Sequence, residues 1–234
     1  MTGRRRIAVV LCLVATHSLC FGDEPRQGTS PHPYWPPLRN EAPAGKGIEL
    51  SDAETKLLRP GDVIFRLSYG YWSFVSEQFD GRWSHVGVLD VTDDGVFVIH
   101  SHGADETHSF SGVQKEPLSK YLRESRQIRV MRFATSAEEG MRIAARAASL
   151  LGKPFDTDFA LDNDKYYCSE VVLFTKPELF SQFTQTLHPR TLTSVAQLSA
   201  RSWPDSIQVI TNSGIERAIS KAGGMVVVEK KIAP

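Results

Sequence analysis

Cysteine is scarce in this chain. Among 234 residues there are three, Cys12, Cys20 and Cys168. Two of them fall in the first twenty residues, so the body of the chain holds one thiol and no internal disulfide framework. Net charge is also lacking, with 27 Lys and Arg against 27 Asp and Glu. That balance gives no basic field for nucleic acid and no polybasic patch for an anionic membrane surface. No apolar run reaches the roughly 20 residues of a comfortable bilayer span. Gly-x-Ser-x-Gly, His-Glu-x-x-His, Cys-x-x-Cys and phosphate-loop patterns do not occur. Serine hydrolases of the elbow type, zinc peptidases, dithiol redox proteins and phosphate-loop enzymes therefore lack their marks.

What the chain does contain is informative at its start. Arg4, Arg5 and Arg6 precede an apolar run from Ile7 to about Phe21, and Cys20-Phe21-Gly22 is a small-x-small cleavage pattern. Residues 1–22 read as a signal peptide, which predicts a secreted or periplasmic protein with no stable membrane insertion after cleavage. Removal would leave 24 basic side chains against 27 acidic ones, a formal −3, and Cys168 as the lone thiol. Residues 23–50 read as an extended spacer, with six of the thirteen prolines between Asp23 and Gly47. Residues 51–234 fit one domain.

Within that domain the pattern predicts α+β architecture, a small antiparallel sheet or barrel packed against helices. Ser51–Glu54 and Ser136–Glu139 read as capping boxes opening helices. Residues 62–66, 84–91, 96–102, 127–133 and 224–229 read as strands. Residues 71–79 suit a helix or aromatic-rich loop, and 117–124 a short helix. The helix from Ser136 carries an apolar stripe of Ile143, Ala147, Leu150 and Leu151 and closes at Gly152. Lys165 to Lys176 forms a helix that stops before Pro177. Thr92-Asp93-Asp94-Gly95 is a hairpin turn. With Thr92 opposite Gly95, His85 faces His102, and His100 lies two residues along on the same face, so either could reach His85.

An unpaired thiol in an exported chain is an intermolecular bridge, a buried filler or a reactive group. Cys168 lies in the first turn of its helix, where backbone amides favour thiolate and predict an accessible, reactive sulfur. His85, next to Ser84 on a hairpin strand, is the natural base beside it. Asp156, Asp158 and Asp164 precede the helix and read as turn and cap residues that could also shape a mouth.

The segments GDVIF (61–65), SHVGVL (84–89), GKPFD (152–156) and YCSEVV (167–172), in this order, resemble the permuted papain-fold amidases of the NlpC superfamily, the YiiX/YaeF-like group. The resemblance covers about residues 55–180. It implies a circularly permuted papain-like fold, with the histidine strand ahead of the cysteine helix. It implies Cys168 as nucleophile, His85 as base and His100 as third residue, where the family usually carries glutamate. On that basis His100→Glu is expected to retain turnover and His102→Ala to do little. An amidase of this kind needs no metal or cofactor. Its substrate would be a peptide of the cell envelope or a lipid amide or ester. The competing readings are an acyl hydrolase or acyltransferase acting on lipid, an inactive binding module, and a metal site drawn from His85, His100, His102, His108 and Cys168. Against the lipid enzymes, Tyr167-Cys168-Ser169-Glu170 replaces their Asn-Cys-Glu-His run. Tyr71, Trp72, Phe74 and Trp83 could line an acyl groove or fill the core.

Overall fold

The computed structural model describes residues 47–69, 82–103, 110–156, 161, 163–179, 184–187 and 207–232. The expected signal peptide, most of the spacer, Tyr71, Trp72, Phe74, His108 and Asp158 lie outside them. Chain order is α1 (Asp52–Thr55), β1 (Val63–Ser68), β2 (His85–Thr92), β3 (Gly95–His102), β4 (Gly112–Pro117), α2 (Leu118–Arg123), β5 (Ser125–Arg132), α3 (Ala137–Ala148), α4 (Cys168–Thr175), a 3-10 turn at Pro177–Leu179, β6 (Thr184–Leu187), β7 (Ile207–Ile210), α5 (Asn212–Lys221) and β8 (Met225–Lys231). Six strands form one antiparallel sheet in the order β4-β3-β2-β1-β5-β8, and β6 and β7 form a separate pair.

Local chemistry explains the element boundaries. Ser51 caps α1 in a full capping box: its hydroxyl accepts from Glu54 N–H and its own N–H donates to the Glu54 carboxylate at 2.7 Å. Ser136 caps α3 through its side chain. The Glu139 carboxylate, however, turns to Arg142 at 2.7 Å, so the second capping box is only half made. Gly152 takes a positive φ of 83° just beyond α3, a conformation that favours glycine. The helix itself ends earlier than its apolar stripe suggests, and Leu151 is exposed rather than core.

Alternation along the strands sorts the core into two faces. Val63, Phe65, Val86, Val88, Ile99 and Val113 point to one side and pack under α3, α4 and α5. Ile64, Leu89, Val98, Ile128 and Val130 point to the other, against α2, Leu58 and Ile48. All six residues of β1 are buried, as expected of a central strand covered on both sides. Each fully buried aliphatic side chain contributes about 1.5–3 kcal/mol, so two such layers fix the sheet firmly. The β2–β3 ladder has Thr92 opposite Gly95 and Val88 opposite Ile99, the register read from the turn. β4 has no strand signature in the sequence: Gln114-Lys115-Glu116-Pro117 is polar, and Pro117, where the sequence predicts the short helix to begin, is the last residue of the strand.

Candidate functional site

The first residue of β2 is His85, and the first residue of α4 is Cys168; α4 packs on β2 and β3. His85 and His100 project from the sheet face lined by Tyr121. The His85 and His100 ring centroids are 6.0 and 5.5 Å from that of Tyr121. His85 Nε2 lies 2.7 Å from His100 Nδ1, a hydrogen bond between the rings. His100 is fully buried, and its Nε2 lies 3.1 Å from Glu116 Oε1. Glu116 in turn has Lys120 Nζ 3.0 Å from its other oxygen. His102 is the lesser neighbour: its ring is 5.5 Å from His85, and its Nδ1 faces the Gly103 carbonyl at 2.5 Å.

Gly87 makes this approach possible. It follows His85 on the same face, and a side chain there would place its Cβ 3.2 Å from His100 Cβ and 2.5 Å from Val98 Cγ1. The glycine of the Ser-His-x-Gly segment thus leaves room for the second imidazole. Arg66 pairs with His85 across β1 and β2, stacks 4.2 Å over Tyr121 and forms a buried ion pair with Glu124 at 3.0 Å. Burial first, then the Arg66 charge and the neighbouring His100 and His102, hold His85 well below its ordinary pKa, with Glu116 acting in the other direction. His85 is therefore a neutral imidazole at neutral pH, a base rather than an acid.

Cys168 belongs to the core under the helices. It is 7% exposed, so the accessible thiol expected from the sequence is instead shielded. Its Sγ lies 3.7 Å from Asn212 Oδ1 and 4.0 Å from Ser169 Oγ. Asn212 accepts from Ser169 Oγ at 2.7 Å and donates to the Trp83 carbonyl at 3.3 Å, two residues ahead of His85. One amide thereby ties the start of α4, the start of α5 and the entry to β2. Cys168 is also within electrostatic reach of Tyr121. Burial pushes that phenol well above its usual range, Arg66 opposes the shift, and charge on Cys168 adds to it. The candidate residues thus fall in two groups: His85 hydrogen-bonded to His100 with Glu116 3.1 Å beyond it, at the start of β2, and Cys168 with Ser169 and Asn212, at the start of α4.

Glu170 closes the first turn of α4. Its carboxylate accepts from Tyr167 N–H at 3.0 Å, and burial pushes its pKa up to about 8. Asp156 is fully buried and accepts from Asn163 at 3.2 Å, while Asp164 pairs with Lys153 at 2.5 Å on the surface. Trp83 is core, and its indole donates to Glu216 at 2.5 Å. Sequence reading missed Glu116, Arg66, Tyr121 and Asn212. None of them had a usable signal in the sequence: Glu116 shares a face with Gln114, opposite His100, only through the pairing of β4 with β3.

A family model described as permuted papain-like amidase enzyme, YaeF/YiiX, C92 family, matches residues 57–201. The uncharacterized protein YiiX of Escherichia coli is 28% identical over 117 residues, covering 48% of this chain and 54% of the relative, so the match spans about half of that protein's length. A crystal structure of a metalloprotein yiiX from Escherichia coli superimposes with a TM-score of 0.58 at 21% identity, over 74% of this chain and 98% of the other, a likeness of fold. Among the described residues of this chain, no group of three or more His, Cys, Asp or Glu side chains is disposed to hold a metal ion. His85 and His100 instead turn facing ring nitrogens on one another. By the match over residues 57–201, the chain belongs to the permuted papain-like amidase family YaeF/YiiX, C92.

Proposed function

We propose that the protein is an exported cysteine amidase in which Cys168 is the nucleophile, His85 the general base and His100 the residue that orients it, acting on peptides of the cell envelope. The observation that carries this reading is the His85–His100 hydrogen bond. It occupies His85 Nε2 and leaves Nδ1 as the nitrogen for proton exchange. A base held by a second group beside a helix-terminal nucleophile is the arrangement that acyl transfer requires. The basic, apolar and small-residue order of residues 1–22 supports export.

In this mechanism the Cys168 thiol proton passes to His85 Nδ1. The sulfur attacks the amide carbonyl carbon, and the oxyanion is met by the backbone N–H at the start of α4. His85 returns the proton to the nitrogen as the C–N bond breaks, leaving a thioester on Cys168. Water then attacks the thioester carbonyl and gives its proton to His85. The C–S bond breaks, the sulfur recovers the proton, and acid and amine are the products.

The test is incubation of the pure protein with muropeptides, N-acyl amino acids and phospholipids, read by mass spectrometry. Cleaved stem peptides are expected, and Cys168→Ala abolishes them. Fatty acid released from lipid with muropeptides intact would replace the peptide reading with the lipid one. Tight binding without turnover would replace catalysis with recognition.

A further inference from the structure

The bond between His85 and His100 contains one proton, and that proton can belong to either ring. If it sits on His85 Nε2, then His85 Nδ1 is a bare lone pair and can accept from a thiol. If it sits on His100 Nδ1, then His85 Nε2 is the acceptor, and Nδ1 carries the proton and is useless as a base. The two neutral rings therefore have two polarities, of which one is competent. What selects between them must lie at the far end, on His100 Nε2. That atom is 3.1 Å from Glu116 Oε1. The contact is ionic rather than a well-aligned hydrogen bond, but a carboxylate charge at that distance attracts an N–H and repels a bare lone pair, so it calls for the proton on His100 Nε2. His100 Nδ1 is then bare and takes the hydrogen bond from His85 Nε2–H.

We propose that Glu116, on the strand beyond His100, is a positioning residue that sets the polarity of the two-imidazole relay and so keeps His85 in its base-competent tautomer. This inference rests on the proposed role of His85. Its geometry spans three adjacent strands, β2, β3 and β4, and one sheet face. Lys120, at the start of α2, balances the carboxylate charge from 3.0 Å. The other groups facing the relay are Arg66 on β1, His102 on β3, Gln114 opposite His100 on β4, and Tyr121 on α2. Of these, Arg66 and the Tyr121 hydroxyl are turned to other partners, Glu124 and the Ile64 carbonyl. Gln114 can both donate and accept, so it imposes no polarity. Glu116 alone among them is an acceptor without a proton to offer.

The experiment reads tautomers directly, without any substrate. Protein labelled with nitrogen-15 in histidine gives long-range proton–nitrogen spectra that separate protonated from bare ring nitrogens, assigned by single His→Gln variants. In the wild type both His85 and His100 should be protonated at Nε2 and bare at Nδ1. Glu116→Leu, close in volume, should invert both rings to the Nδ1-protonated form. Glu116→Gln, whose amide can donate as well as accept, should release the selection and leave both tautomers populated, and unchanged tautomers in it would count against the proposal if the leucine variant is unstable. Alkylation of Cys168 by a neutral reagent should slow on the order of a hundredfold in Glu116→Leu and by a smaller factor in Glu116→Gln. Rings that keep their tautomers in a folded Glu116→Leu protein would overturn the proposal, as would a wild type with His85 protonated at Nδ1. Neither result depends on whether an amide is hydrolysed, so this inference and the proposed activity fail separately.

Discussion

At the scale of single residues, a carboxylate stands behind His100. Glu116 lies 3.1 Å from the far nitrogen of His100. This reverses the expectation that His100→Glu would be tolerated. The new carboxylate would be fully buried and would face Glu116, itself 4% exposed. Two buried carboxylates cannot both ionise without a large penalty, and an uncompensated buried charge costs about 3–5 kcal/mol. His100→Glu alone should therefore lower the melting temperature sharply, and adding Glu116→Gln should recover most of the loss. A thermal melt of the two variants checks this, and equal stability of the single and double changes would refute it. The candidates Cys168, His85 and His100 were legible in the sequence because their types are rare and their segments ordered. Glu116 and Asn212 were not, because what matters about them is a neighbour brought close by strand pairing or helix packing, 16 and 44 residues away in the chain.

At the scale of elements, the hairpin was read correctly because a turn and two alternating strands fix a register with little help from the rest of the molecule. The polar β4 had no such local signature, and only pairing with β3 makes it a strand. The start of α4 shows the same division. Its position was readable, but its energetics depend on burial. Glu170 closes the first turn from a site where its pKa is raised to about 8, chiefly by desolvation and further by Asp156, against the bond from Tyr167 N–H. The sign follows from that direction. A carboxyl whose folded pKa is raised favours the folded state at low pH, and the penalty grows from about pH 4.5 until the folded group itself ionises near pH 8. Glu170→Gln keeps an acceptor for Tyr167 N–H and removes the charge. At pH 8 it should raise stability by on the order of 1 kcal/mol, about 2–4 °C in melting temperature. At pH 4 it should change little. Melting curves across that range check it; a loss of stability at pH 8 would mean that the charge itself holds the helix start.

At the scale of the whole molecule, one sheet with two covered faces serves two purposes. The face under α3, α4 and α5 carries the helix that begins at Cys168. The face against α2 holds the imidazole pair, its carboxylate and Arg66 in a dry layer. His85 begins β2 and Cys168 begins α4, and Asn212 on α5 links the Cys168 sulfur to the Trp83 carbonyl, two residues ahead of His85. That link depends on α5, which begins at residue 212, beyond the segment that matches the family. The fold class was legible from element order, whereas the two-faced division of labour needed the register of every strand. The central claim is that Cys168 becomes acylated with help from His85. The most direct measurement is an acid quench of the enzyme during turnover of a cleaved amide, followed by intact mass and peptide mapping. An acyl thioester is expected on the peptide containing Cys168, absent in Cys168→Ala and strongly reduced in His85→Ala. Turnover that persists in Cys168→Ala, or an acyl group mapped to any other residue, would contradict it.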